Sequence, residues 1–431
     1  MLLRFSVANF RSILEEQELS LVAGKLKSAH EILRFPVGDV SVLPSALIYG
    51  PNAAGKSNFI AALSFLRAAV LYSHSKGNPD GGVPRKPFAL CGEAQDTPSL
   101  LEADFVVGGV RYQYGFEADD DRFTAEWLFS YPEGKRRKLY ERSGDDISFG
   151  PSLKGQKKIL AEFMRPNSLF LSTATQNDHE ELSEIRNFFK DIKIKRSISV
   201  GRHTVNEEFS ESDIDPRTIE FLEMVGTGVI GYRKNTEEIP DEARKVMSEL
   251  NVIIKRFASD NSNEIEIDSS EEKRVSIELS HKSRDGSACY LDLNDESAGT
   301  KRLLIIINMA FKALDTGGIV VIDEVDASLH TFASEAVLAL FNDRNINKKG
   351  AQIIATAHDT NLLSSEFLSR DQIWFAEKND RGETELFSLA EIKSRPDDNF
   401  ELGYLQGRYG GTISPPRRWD FQKLNIGNFE E

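Results

Sequence analysis

Ala46-Leu-Ile-Tyr49-Gly50-Pro51-Asn52-Ala53-Ala54-Gly55-Lys56-Ser57-Asn58 decides the fold. Four apolar residues make a short strand of the kind buried in the middle of a sheet. A Gly-rich turn follows at once, and Gly50 to Ser57 satisfies G-x-x-x-x-G-K-[ST]. Phe59, Leu63, Leu66 and Val70 then recur at helical spacing, so the turn opens a helix. The two glycines let backbone N–H groups wrap a chain of phosphates, and the helix dipole favours their negative charge. Lys56 reaches the β- and γ-phosphates and Ser57 ligates magnesium. A chance lysine in a Gly-rich turn would lack this strand–turn–helix setting. Residues Gly50–Asn58 are therefore the expected ATP site, with Mg2+ as the accompanying ion.

Such a site needs a second element to hold the metal and activate water. Ile319-Val-Val-Ile322-Asp323-Glu324 supplies it: a buried strand with two carboxylates emerging at its end. Asp323 is expected to bind magnesium through water and Glu324 to polarise the attacking water. Between the two motifs, Asp295-Glu296-Ser297-Ala298-Gly299-Thr300 opens an apolar helix, and Ser and Gly at a helix N-terminus form another anion site. After the acidic strand come Asp326-Ala-Ser-Leu-His330 and a second buried strand ending in Ala355-Thr-Ala-His358. His358 is placed by this order to sense the γ-phosphate.

Alternating apolar residues predict strands at Leu3–Val7, Glu18–Ala23 and four times within residues 100–150, the last as an antiparallel sheet. Leu169–Leu171 reads as a short apolar strand, and residues 180–260 as mainly helical, with a stripe over Asp241–Phe257. Strands are expected at Glu264–Ile267, Val275–Leu279 and Cys289–Leu293, helices at Gly299–Leu314 and Ala333–Phe341, and a buried strand at Gln352–Thr356. The fold class is α/β.

Lys plus Arg is 53 against 68 Asp plus Glu, a net charge of −15, so the chain is no generic polycation that coats nucleic acid. Cys91 and Cys289 are too few for a disulfide framework or a four-ligand zinc site. The most apolar run, Leu303–Ile307, ends at Asn308, far short of the ~20 residues a membrane span needs. Arg4 and Asn9 interrupt any signal-peptide core, and the expected location is the cytoplasm.

The motif series resembles the ATP-binding-cassette ATPase heads, in the branch shared with SMC-like and RecF-like DNA-repair ATPases. The resemblance implies a P-loop NTPase with an antiparallel β-lobe and a helical insertion. The head's N-terminal part would cover residues 1–179, the insertion 180–285 and the C-terminal part 286–431. It implies a homodimer, or a higher oligomer, with ATP at the interface. Ser297 and Gly299 would then contact the γ-phosphate of ATP held by the other protomer's Gly50–Ser57 loop. Asn9-Phe-Arg11-Ser resembles the family's N-terminal strand–loop, making Arg11 a phosphate or base contact. The family's glutamine loop corresponds to Gln176, a further magnesium ligand. The transporter signature Leu-Ser-Gly-Gly-Gln reads here Glu-Ser-Ala-Gly-Thr, which argues against a transporter subunit.

Thr356-Ala-His-Asp-Thr-Asn-Leu-Leu363, Arg370-Asp-Gln-Ile-Trp374 and Phe400-Glu-Leu-Gly-Tyr404-Leu-Gln-Gly-Arg408 are similar to the RloA/AbiL-type bacterial ATPases of phage defence. That resemblance implies a separate effector protein, such as a nuclease encoded nearby. Only 73 residues follow His358 here, so no nuclease domain of its own is expected. The insertion lacks heptads, so it is no long coiled-coil arm. Asp213-Ile-Asp215, before Pro216, reads as a solvated loop. Lys135-Arg-Arg-Lys138, Lys193-Ile-Lys-Arg196 with Arg202, and Arg417-Arg418 are the basic clusters a DNA-binding alternative of RecF type would use.

Overall fold

The computed structural model describes residues 1–25, 30–196, 208–209, 213–240, 242, 245–246, 249, 273–395 and 398–412. Arg202, Arg417-Arg418, the strand at Glu264–Ile267 and almost all of the stripe over Asp241–Phe257 lie outside them.

Two sheets dominate. The antiparallel one contains β1 (Leu2–Ala8), β2 (Gln17–Ser20), β6 (Ser99–Val107), β7 (Val110–Ala118), β8 (Phe123–Tyr131), β9 (Arg137–Ser143) and β10 (Asp146–Phe149), in the order β10-β9-β8-β7-β6-β1-β2. A two-stranded ribbon, β3 (Phe35–Val37) and β4 (Val40–Val42), leads into β5 (Ser45–Tyr49). The second sheet is built around β5. It adds β11 (Ile192–Lys195), β15 (Ile319–Ile322), β16 (Gln352–Thr356), β17 (Ile373–Lys378) and β18 (Thr384–Ser388), in the order β11-β15-β16-β5-β17-β18. All but the edge strand β18 run parallel. A third sheet has three strands, β12 (Val229–Glu238), β13 (Lys273–Lys282) and β14 (Ala288–Asp292), the last beyond the expected insertion.

The continuous apolar runs of the parallel sheet follow from burial on both faces. Ile319 and Val321 pack into one core with Ile48, Phe59 and Leu63. Val320 and Ile322 pack into the other with Leu47, Leu304 and Val337. Successive residues of one strand thus supply opposite layers. The first layer holds α1 (Lys56–Tyr72), the small helices α2 (Gly92–Asp96) and α3 (Lys157–Glu162), α4 (Phe170–Gln176) and α5 (Glu180–Asp191), together with the antiparallel sheet. The second holds α6 (Pro216–Met224), α7 (Ala298–Thr316), α8 (Thr331–Asn342) and the short α9 (Phe400–Leu405). Ser297 caps α7 by accepting from the Thr300 N–H at 3.0 Å, and Gly317, at φ 74°, ends it.

Two readings of the sequence are corrected. Leu169–Leu171 is no strand: Phe170 and Leu171 open α4, because the buried Glu126 of β8 accepts both their N–H groups, at 2.6 and 3.0 Å. Residues 180–240 are less helical than expected. Ile192-Lys-Ile-Lys195 alternates as β11, and Val229–Glu238 forms a ten-residue strand. No helix among the described residues is long and apolar enough to cross a membrane.

Candidate functional site

Parallel strands end together on one side of a sheet, and ligands bind outside their carboxyl ends. Here those ends are Tyr49, Ile322, Thr356 and Lys195, and the residues following them make the site. After Tyr49 the chain turns through Gly50–Gly55 and enters α1 at Lys56. A Cβ on Gly50 would sit 2.3 Å from the Ala376 carbonyl oxygen of β17. A Cβ on Gly55, at φ 105°, would sit 2.0 Å from Thr384 Oγ1. Only glycine fits at either position.

The loop is clasped from two sides, by Thr384 and by Arg11 and Ser12 of the N-terminal strand–loop. Thr384 Oγ1 donates to the Ala54 carbonyl at 2.9 Å and lies 2.7 Å from Ser12 Oγ. Ser12 Oγ accepts from Asn58 Nδ2 at 2.7 Å, and Arg11 Nη1 donates to Asn58 Oδ1 at 3.3 Å. Arg11 itself is in the left-handed region, φ 53°, where its N–H donates to the Lys86 carbonyl at 2.6 Å. Burial holds its guanidinium below its ordinary pKa, and the charge of Arg196 adds to this. Its Nε is buried without a partner among the described residues. Arg196 is the first residue beyond β11, and the preceding carbonyl, of Lys195, accepts the Asp323 N–H at 2.9 Å. The end of the 193–196 basic cluster therefore lies beside the nucleotide loop, a setting invisible until β11 is paired with β15.

Lys56 is buried, and its Nζ donates to the carbonyls of Gly50 (2.7 Å) and Pro51 (3.2 Å). Burial lowers its pKa, opposed by the charges of Asp323, Glu324 and Asp326. Asp323, Glu324 and Asp326 place carboxylate oxygens beside the loop, donors of the kind a divalent cation takes. Asp323, nearly buried, and Ser57, exposed at the first turn of α1, fit a magnesium ion as oxygen donors.

Asp323 and Glu324 share one hydroxyl. Thr356 Oγ1 donates to Asp323 Oδ1 at 2.7 Å and accepts the Glu324 N–H at 2.6 Å. Glu324 has φ 55°, a left-handed backbone that is strained for a residue with a side chain. Its Oε1 lies 3.9 Å from His358 Nε2, with both side chains partly open to solvent. Asp326 Oδ2 accepts the N–H groups of His358 (2.8 Å) and Asp359 (2.6 Å), which fixes the histidine's backbone against the loop after β15. Its other oxygen, Oδ1, is buried and has no partner among the described residues.

Ser297 is exposed at the start of α7. Gly299 packs on the loop after β15, where a Cβ would lie 2.6 Å from the Ser328 carbonyl oxygen. The residue before Ser297, Glu296, is held by His281 of β13, Nε2 to Oε1 2.6 Å.

The structure thus brings together Gly50–Asn58, Arg11, Asp323, Glu324 and His358. It does not bring Gln176 to them. Ser172 Oγ of α4 accepts the His74 N–H and Ser73 Oγ accepts the Leu169 N–H, so α4 lies at the far end of α1. Seventeen residues of helix at 1.5 Å each separate the two ends by about 25 Å. Asp215 is tied to Arg217, which also bridges to Asp315 at the surface.

A family profile described as "AAA domain, putative AbiEii toxin, Type IV TA system" matches residues 45–364. The chain belongs to this AAA family. Its mixed α/β architecture is a P-loop NTPase fold. Among solved structures, the crystal structure of the SmcHead bound to the C-winged helix domain of ScpA aligns with a TM-score of 0.37 and 14% identity, over 90% of this chain and 97% of that one. No curated protein matches the chain in sequence. The AAA match spans the nucleotide loop, the acidic strand end and His358, while Arg11 and Thr384 lie outside it.

Proposed function

We propose that this AAA protein is an ATP-hydrolysing dimeric switch that controls a separate effector protein in anti-phage defence. The observation that carries the enzymatic part is the convergence of Lys56, Asp323, Glu324 and His358 at adjoining strand ends. In this reading Lys56 and Arg11 neutralise phosphate charge, and Ser57 and Asp323 hold Mg2+. Glu324 takes a proton from water as its oxygen attacks the γ-phosphorus. The bond to the bridging oxygen then breaks and leaves ADP and phosphate. Magnesium, when bound, offsets charge on the phosphates. His358 senses the γ-phosphate, while Ser297 and Gly299 act on the partner's nucleotide. The exposed position of Ser297 at a helix N-terminus, with Gly299 half-buried in the same turn, supports this. The defence role is supported by the toxin–antitoxin description of the family and by the C-terminal sequence resemblance.

Glu324→Gln tests both halves. Loss of the base should slow hydrolysis by about 10²- to 10⁴-fold while ATP binding persists. The variant should accumulate as an ATP-bound dimer in light scattering. Normal turnover would remove Glu324 from the reaction. Tagged Glu324→Gln and wild type, pulled down from the native host, should differ in one stoichiometric protein. DNA recovered in its place, lost steeply with salt, would support the RecF-like clamp instead.

A further inference from the structure

The side chain of Arg302 is used by none of these roles. It projects from α7 five residues after Ser297, and is 6% exposed. Its Nη2 donates to the Asp323 carbonyl at 3.0 Å and also to the Glu324 carbonyl. Its Nε is buried with no partner among the described residues, and desolvation of the guanidinium is offset through those two bonds and the nearby carboxylates.

The Glu324 peptides are therefore gripped on both sides. Thr356 Oγ1 takes the N–H on one side, and Arg302 takes the carbonyl on the other. A non-glycine residue in the left-handed region persists only where its surroundings over-determine it. The carbonyl that Arg302 holds belongs to the strained residue itself. The same helix rests its first turn on the same loop, with Gly299 against the Ser328 carbonyl, and Ser328 is also left-handed at φ 62°.

We propose that Arg302 is a positioning residue for hydrolysis: it holds Glu324 in its strained backbone and ties that geometry to the helix that begins at Ser297. This rests on Glu324 acting as the base. Movement of α7 when Ser297 engages a nucleotide then reaches Glu324 through a guanidinium, without any contact between Arg302 and the nucleotide.

The test is single-turnover ATP hydrolysis and ATP affinity for the full chain as Arg302→Met, Arg302→Lys, Glu324→Gln and the double variant Arg302→Met/Glu324→Gln. Displacing a base by about 1 Å costs about 100-fold in rate. Arg302→Met should lose that much, with ATP affinity unchanged within about threefold, a scale on which 1.4 kcal/mol is tenfold. Arg302→Lys, a point charge without the planar fork, should fall between the Met variant and wild type. In the double variant the two losses should not multiply, because Arg302 acts through Glu324. Multiplying losses, or affinity falling in step with rate, would overturn the role of Arg302 while leaving the base intact. Wild-type turnover in Glu324→Gln alone would instead overturn the base reading. If Arg302→Met does not fold, the Lys variant alone and on the Glu324→Gln background carries the same comparison.

Discussion

At the scale of single residues, the nucleotide loop depends on partners far away in sequence. Gly55 must be glycine because Thr384, 329 positions later, fills the space a Cβ would need. Gly55→Ala should cost at least about 2 kcal/mol through backbone strain and overpacking. It should also abolish the rise in melting temperature that ATP and Mg2+ produce. Adding Thr384→Ala removes the two closest atoms and should recover part of the stability in calorimetry. Equal melting temperatures for Gly55→Ala and wild type would contradict the packing. The motif residues were legible because strand, turn and helix N-terminus are contiguous in sequence. Thr384 and Arg302 were not legible, and Arg196 was legible only as part of a basic cluster. Each acquires its place only when β18, β11 and α7 are brought to the same end of the sheet.

At the scale of elements, α4 shows why three apolar residues cannot announce their own conformation. Leu169-Phe-Leu171 has no periodicity that separates strand from helix, and the decision rests with Glu126 of β8. This carboxylate accepts Phe170 N–H, Leu171 N–H and the hydroxyls of Tyr114 (3.1 Å) and Tyr140 (2.8 Å), and so does the work of an N-cap from another sheet. Burial pushes its pKa above the ordinary carboxylate value, against Arg142 and the two N–H groups. Glu126→Gln replaces one oxygen, which can accept in either protonation state, by an amide nitrogen that only donates, and should destabilise the fold by about 1–3 kcal/mol. A carboxyl with a raised folded-state pKa binds its proton more tightly folded than unfolded. Stability from this group is therefore full at low pH and declines as pH climbs from the ordinary value through the raised one. Denaturant titrations should show the margin of wild type over Glu126→Gln narrowing as pH rises from about 4.5 toward neutrality. A margin that widens would reverse the assigned shift. The insertion's described part was misread for the same reason as α4: in Ile192-Lys-Ile-Lys195 the lysines were read for charge, while the alternation marked a strand.

At the scale of the whole molecule, the proposed reaction draws on two separate surfaces. Lys56 lies in the loop after β5, whereas Ser297 is exposed at the head of α7. If two copies meet face to face with nucleotide between them, each site takes its loop from one protomer and its Ser297 from the other, as an isologous dimer requires. Two individually inactive variants should then complement. Lys56→Ala lacks a working loop but keeps its Ser297. Ser297→Arg keeps its loop but blocks the surface that faces the partner's nucleotide. In a mixed dimer, one site inherits both defects and the other is wholly wild type. Mixing the purified variants should raise ATP hydrolysis above the sum of the two alone. The gain should grow with protein concentration as mixed dimers form, and vanish when Ser297→Arg is paired with a copy carrying Lys56→Ala and Ser297→Arg together. If Ser297 served its own protomer's loop, no mixture would recover activity, because neither chain would contain a complete site. The same mixing experiment with Arg302→Met as the second variant separates the two roles of α7. Arg302 holds Glu324 within its own chain, so an Arg302→Met chain cannot repair its own loop's hydrolysis through an intact partner, whereas its Ser297 can still serve the partner's site.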